Sequence, residues 1–363
     1  MSISDLPYIW MENLGGVPFL FLGTVTLGFF LLFRWAFAIL PQEQWQIMAV
    51  LPRHRADSKR WHGLNLTYYG FITASAVTFA AGNMLFLLGA LHVRLSISLL
   101  FVLSLMSLAV PASKIIAKVV EKKAFTFTIG GASFTGLVMA PVVAVAINEM
   151  NPQPDVLPIL PALSALVVSF ALGEGIGRLA CISYGCCYGK PLSACSPVVR
   201  TLFKTLHCRF TGATKKIAYA GNLESVPVVP IQAITAVIST TGYLIGMGLF
   251  LTGRFAASLL VSLMITQAWR AVSETWRADH RGQGSISMYQ VMSVVGIGYM
   301  IAVMMVVPSF PLAFPDLLVG LHSLWDPTVL LFLQSAWIGI FLFMGRSRMT
   351  GSVLSFFVHK EHL

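Results

Sequence analysis

VLPILPALSALVVSFALGEGIGRLACISYGCCYGKP, residues 156–191, begins as an apolar run and ends in an arginine, three cysteines within seven residues and a set of glycines. From 156 to 177 the only charge is Glu174. About twenty apolar residues at 1.5 Å rise each cross the ~30 Å hydrocarbon core of a bilayer, so this run predicts a transmembrane helix. Its polar end carries the chemistry. Glu174 and Arg178 stand four apart, on one helical face at a membrane boundary, where an ion pair is costly and points to function.

Working outward, eight further runs have the same character, at 17–40, 67–91, 95–112, 127–147, 229–251, 254–272, 286–307 and 328–345. The chain of 363 residues is 56% hydrophobic and 10% charged, too little charge to cover a water-soluble fold of this size. The expected class is an all-α polytopic membrane protein of about nine transmembrane helices. Residues 1–363 read as one membrane domain, with 178–228 as a polar head segment. Residues 1–16 hold Asp5 and Glu12 and no basic n-region, so no removable signal peptide is expected there.

Nine spans put alternate connections on opposite faces. One face takes 41–66, 113–126, 178–228, 273–285 and the C-terminus. Of 24 Lys and Arg, all but Arg94 and Arg254 fall nearer that face. Basic loops resist translocation, so the basic face is expected in the cytoplasm, in a plasma (inner) membrane. The same excess suits anionic headgroups, and no nucleic-acid partner is expected.

Four clusters gather at span ends on the basic face. Gly130, Gly131, Ser133, Phe134 and Gly136 open the fourth span, leaving room for close backbone packing or a ligand. Arg178 leads into the cysteine-rich turn. The five cysteines, Cys181, Cys186, Cys187, Cys195 and Cys208, match no standard zinc spacing, and a reducing cytoplasm disfavours a disulfide. The thiols read either as buried packing groups or as nucleophiles sensitised by Arg178, and metal-free. VPVVPIQAI, 226–234, sets Gln232 just inside the sixth span. WRAVSETWRADHRG, 269–282, aligns Arg270, Glu274, Arg277 and Arg281 as one stripe if its helix continues, and ISMYQVMS, 286–293, re-enters the membrane.

In this order the clusters resemble the prolipoprotein diacylglyceryl transferase family. Its G-G-x-S-F-H-G-G segment is matched by Gly130-Gly131-Ala132-Ser133-Phe134-Thr135-Gly136, and its G-R-x-G-N-F-x-N-G-E-x-x-G by Gly177-Arg178 through Gly189. H-P-[ST]-Q is reduced to Pro230-Ile231-Gln232. R-x3-E-x2-R-x-x-D and [IL]-S-M-x-Q are matched by Arg270, Glu274, Arg277 and Asp279, then Ile286 through Gln290. These motifs occupy about 127–307, the expected catalytic core, a seven-helix family core with extra spans around it.

The resemblance implies an enzyme without cofactors that binds phosphatidylglycerol, or another anionic phospholipid, and transfers its diacylglyceryl group to the cysteine thiol of a prolipoprotein. Arg178 and Arg270 would hold the phosphate. Glu274 would position Arg270, with Arg277 behind it. Gly130, Gly131, Ser133, Gly136, Gly189, Gln232 and Gln290 would shape the lipid site. The family's histidine and tyrosine, both with catalytic roles, are Thr135 and Thr266 here. His280 and Glu274 are the nearby substitutes, a histidine titrating in the useful range. A cytoplasmic site would also oppose the family's outward-facing one. A different acceptor, or lipid binding or transport without catalysis, are the competing readings.

Overall fold

The computed structural model describes residues 16–57, 59–120, 122, 128–151, 156–279, 286–308 and 314–362. Among them, nine helices are long and apolar enough to span a membrane: α1 (Gly16–Ile39), α2 (Tyr68–Ala90), α3 (Leu95–Val120), α4 (Ile129–Met150), α5 (Ile159–Tyr184), α8 (Ile231–Leu251), α9 (Phe255–Ser273), α10 (Met288–Val306) and α12 (Pro327–Met344). Each coincides with an apolar run. Three short helices, α6 (Pro197–Leu202), α7 (Lys216–Gly221) and α11 (Leu317–Ser323), lie in connections.

Two spans outrun the hydropathy reading. Pro111 does not end α3, which carries Lys114 and Lys118 on to Val120. Three glycines do not end α5, which passes Arg178 and stops at Gly185, a left-handed residue (φ 71°). Gly185 suits that cap because a side chain at such φ is strained. Its N–H bonds back to the Cys181 and Ile182 carbonyls, and the chain turns away.

α5 is the axis of the bundle. Nearly all of its residues are buried, and it packs on α2, α8 and α9, whereas α1 and α12 are largely open to the surrounding lipid. Lipid offers no hydrophobic drive between helices, so close contact of small residues holds them. At Gly175 a Cβ would fall 2.4 Å from the Thr240 hydroxyl of α8.

The sequence reading contained no strands, and the structure adds three. β1 (Ile47–Arg55) and β2 (Arg60–Thr67) form an antiparallel hairpin after α1, and β3 (Arg346–Ser355), following the last span, pairs antiparallel with β2. Eight spans separate β2 from β3, so the sheet requires both ends of that series on one face. The 178–228 head docks on the same face. Gln46 donates to the Thr214 carbonyl and Ser183 to that of Trp45.

Lys215 fastens the head to the bundle. Fully buried, its Nζ donates to the carbonyls of Leu40 (3.2 Å), just past α1, and Ser183 (2.6 Å), in the last turn of α5. Cations suit helix C-termini, yet burial pushes this ammonium down to about 8. The unfolded chain therefore holds a proton that the folded chain has lost between pH 8 and the ordinary lysine value. Stability should rise with pH across that window. Unfolding in detergent at pH 7.5 and pH 10 checks this, and Lys215→Met should flatten the difference.

Candidate functional site

Burying a charge costs several kcal/mol unless it is paired, so the charged groups at the head end of the bundle define what the interior can hold. Glu174, on α5, accepts from two guanidinium groups at one oxygen: Arg178 of the same helix at 2.6 Å and Arg270 of α9 at 2.5 Å. Ser239 of α8 donates to the other oxygen at 3.4 Å. All three charged side chains are under a tenth exposed. Among the described residues, one carboxylate between two guanidinium groups leaves this group with one more positive than negative charge. Among the described residues the Arg178 Nε has no hydrogen-bond acceptor.

The expected helical stripe is broken. α9 ends at Ser273, a single tight turn covers Glu274–Trp276, and Arg277 is extended. The carboxylate on Arg270 is thus Glu174, where the sequence pointed to Glu274. Arg277 is gripped by Asp279 through two bonds (2.8 and 2.9 Å) and by Glu274 at 3.4 Å. Among the described residues that cluster carries one cation and two carboxylates, the opposite balance.

Beside the surplus charge lies an apolar cavity of about 190 Å³, lined by Ser133 and Gly136 of α4, Phe170 of α5, and Thr266 and Gln267 of α9, among others. The Arg270 guanidinium stands over the Phe170 ring, 5.6 Å from its centre. Gly130 abuts the same group: a Cβ there would meet the Tyr289 ring at 2.6 Å and an Arg270 nitrogen at 3.2 Å. Gly136 faces open space. Residues of α3, α4, α5, α8 and α9, far apart in sequence, therefore form a cationic point next to an apolar chamber.

The remaining candidates make the following contacts within the protein. A Cβ on Gly131 would press on Thr128 and Ile116, and one on Gly189 on the Val229 carbonyl at 2.3 Å. Gly189 pairs with Arg277 as an isolated antiparallel bridge, joining the head to the end of α9. Gln232 donates to the Cys186 carbonyl at 2.8 Å, pinning the turn after α5. Gln290 closes a capping box with Ser287 and reaches the Ala271 carbonyl of α9 at 2.9 Å. His280 and Arg281 lie outside the described residues. Thr266, at the family's tyrosine position, already donates to the Ser262 carbonyl at 2.8 Å. Tyr289, buried against Gly130, was not singled out in the sequence because it falls at the unspecified position of [IL]-S-M-x-Q.

Residues 60–306 match the family model for prolipoprotein diacylglyceryl transferase. The chain belongs to that family. The match starts well before the glycine-rich segment, taking in β2, α2 and α3 as well as the motif-bearing core. No curated protein matches the chain. Family membership makes the chain a membrane protein of a lipid-transferring family, and the Glu174–Arg178–Arg270 group lies within the matched region.

None of the five cysteines is in a disulfide. Cys181, Cys186 and Cys187 bring their sulfurs within 4.8 Å of one another behind the Gly185 turn. The neighbouring thiols of Cys181 and Cys187, together with burial, hold the Cys186 thiol well above its usual value, and burial pushes Cys208 up to about 12. Neither is poised as a thiolate nucleophile.

Proposed function

We propose that the protein binds phosphatidylglycerol, or a similar anionic phospholipid, with its phosphate on Arg178 and Arg270. It transfers the diacylglyceryl group to a thiol acceptor. The observation that carries this reading is the surplus positive charge of the Glu174–Arg178–Arg270 group beside an apolar cavity. An anionic headgroup and its acyl chains need that pairing of surroundings. In the family reaction the acceptor thiolate attacks the glyceryl carbon, the carbon–oxygen bond to phosphate breaks, and glycerol 1-phosphate departs with the bonding pair. Guanidinium forks matched to phosphate stabilise charge growing on the leaving group.

The thiol proton must go to a base. The family histidine is Thr135 here, and the Thr266 hydroxyl is spent within its own helix. That departure favours one second reading, a phospholipid-binding protein that no longer transfers. Purified protein, phosphatidylglycerol and a lipobox peptide separate the two. The transferase should yield lipidated peptide and glycerol phosphate in equal amounts. Thermal stabilisation by the lipid with no glycerol phosphate would select the second reading.

The acceptor depends on sidedness. The crowding of basic residues on one face favours a cytoplasmic site in the plasma membrane, and with it an acceptor other than exported prolipoproteins. A single cysteine at exposed Ala213, in a cysteine-free background, reports the side. A membrane-impermeant maleimide should label it only after lysis. Labelling of intact cells would return the site to the outer face and the prolipoprotein to first place.

A further inference from the structure

We propose that Cys181, Cys186 and Cys187 form a three-coordinate site for a thiophilic metal ion, with copper(I) the ion of best fit. The expectation of metal-free thiols rested on the odd number of cysteines, their non-zinc spacing and the cytoplasmic placement. A C-x4-C-C run matches no tetrahedral zinc pattern, but the fold closes it into a triangle. The left-handed Gly185 reverses the chain after α5, and Cys187 itself is left-handed at φ 56°. Both following thiols then swing back onto the last turn of the helix.

The geometry fits the ion. A metal–sulfur bond of about 2.3 Å sets three sulfurs in a trigonal plane about 4.0 Å apart. Here Cys181 and Cys187 stand 3.9 Å apart, and every pair lies within 4.8 Å. Little movement is needed. Among the described residues no histidine or carboxylate joins the three thiols. A set of three thiols suits copper(I) better than zinc, which seeks four ligands.

Charge fits as well. Three thiolates around a monovalent ion carry two net negative charges in a buried site. Arg178 and Lys216 act electrostatically on these thiols and offset part of that charge, whereas Arg277, which also acts on them, is already matched by Asp279 and Glu274. Binding exchanges three S–H protons, released to water, for three metal–sulfur bonds, with no change of oxidation state. The site lies one turn beyond Arg178, outside the lipid cavity lining.

Intact protein, reduced and metal-free, is titrated anaerobically with copper(I) against a competing chelator. One ion per chain should bind, and X-ray absorption should report three sulfur neighbours. Cys195→Ser/Cys208→Ser should bind equally. Cys186→Ser/Cys187→Ser, which leaves one thiol of the triangle, should lose at least a hundredfold in affinity. Two sulfurs, nitrogen or oxygen neighbours, or retained affinity in that last variant would overturn the site. Four-coordinate zinc held in preference to copper would overturn the ion. The absorption measurement uses the unaltered chain, so it decides even if a variant misfolds.

Discussion

Glu174→Gln should destabilise the folded protein by about 3–5 kcal/mol, the usual cost of stripping a buried ion pair of one partner. The carboxylate sits at the meeting of α5, α8 and α9, and its loss leaves two guanidinium groups facing each other in the bundle. Unfolding by denaturant in detergent micelles measures the drop. Glu274→Gln is the control. Arg277 keeps its two bonds to Asp279, so only one 3.4 Å contact weakens, a loss of about 1 kcal/mol. The surplus charge adds a second signature. An anionic lipid should restore more stability to Glu174→Gln than to the parent, because it supplies the missing negative charge. Equal losses in the two variants would remove Glu174 from the centre of the site.

Arg178→Lys and Arg270→Lys should each weaken phospholipid binding tenfold or more, since one charge-assisted hydrogen bond is worth about 1.5–3 kcal/mol. Lysine preserves charge but replaces a planar fork with a point charge, and it cannot bond Glu174 and a phosphate in the same plane. Lipid-dependent thermal shift and the transfer rate report the loss. The two effects should not add, because both arginines share one Glu174 oxygen. Arg277→Lys offers the contrast. Its side chain is already held by two carboxylates, so lipid affinity should stay near the parent value while head docking loosens. A strong loss of lipid affinity in Arg277→Lys, with none in Arg270→Lys, would move the phosphate site to the wrong cluster for this proposal.

The spans were legible because a bilayer demands one simple quantity, about twenty apolar residues in a row, and each run supplies it. Glu174 with Arg178 was legible for the same kind of reason: four residues is one helical turn. Arg270 was found as a candidate, but its partner was not. Glu274 sits at helical spacing from it, and nothing local announces that the chain stops being helical at Ser273 or that Glu174, 96 residues away, packs alongside. The thiol triangle failed in the opposite direction. Its members are neighbours in sequence, and only the left-handed turn at Gly185 makes them neighbours in a shape a metal could use.

The strands were the least visible. Residues 47–67 contain Pro52, Gly63 and many charges, which read as a polar connection, and their sheet is completed from the far end of the chain. Gln232, Gln290 and Gly189 show a further limit. Polar or glycine positions near a site satisfy backbone groups or admit close neighbours as readily as they touch substrate.

The pairing of β2 with β3 has a consequence for how the protein is made. During synthesis the β1–β2 hairpin emerges early and then waits, its outer edge unsatisfied, while eight more helices are threaded into the bilayer. Until residues 346–355 leave the ribosome, that edge is an open template for any other extended chain. The last strand thus works as a completion latch. A nascent chain stalled before it would carry a full set of helices, yet would be marked as unfinished by one exposed row of amides.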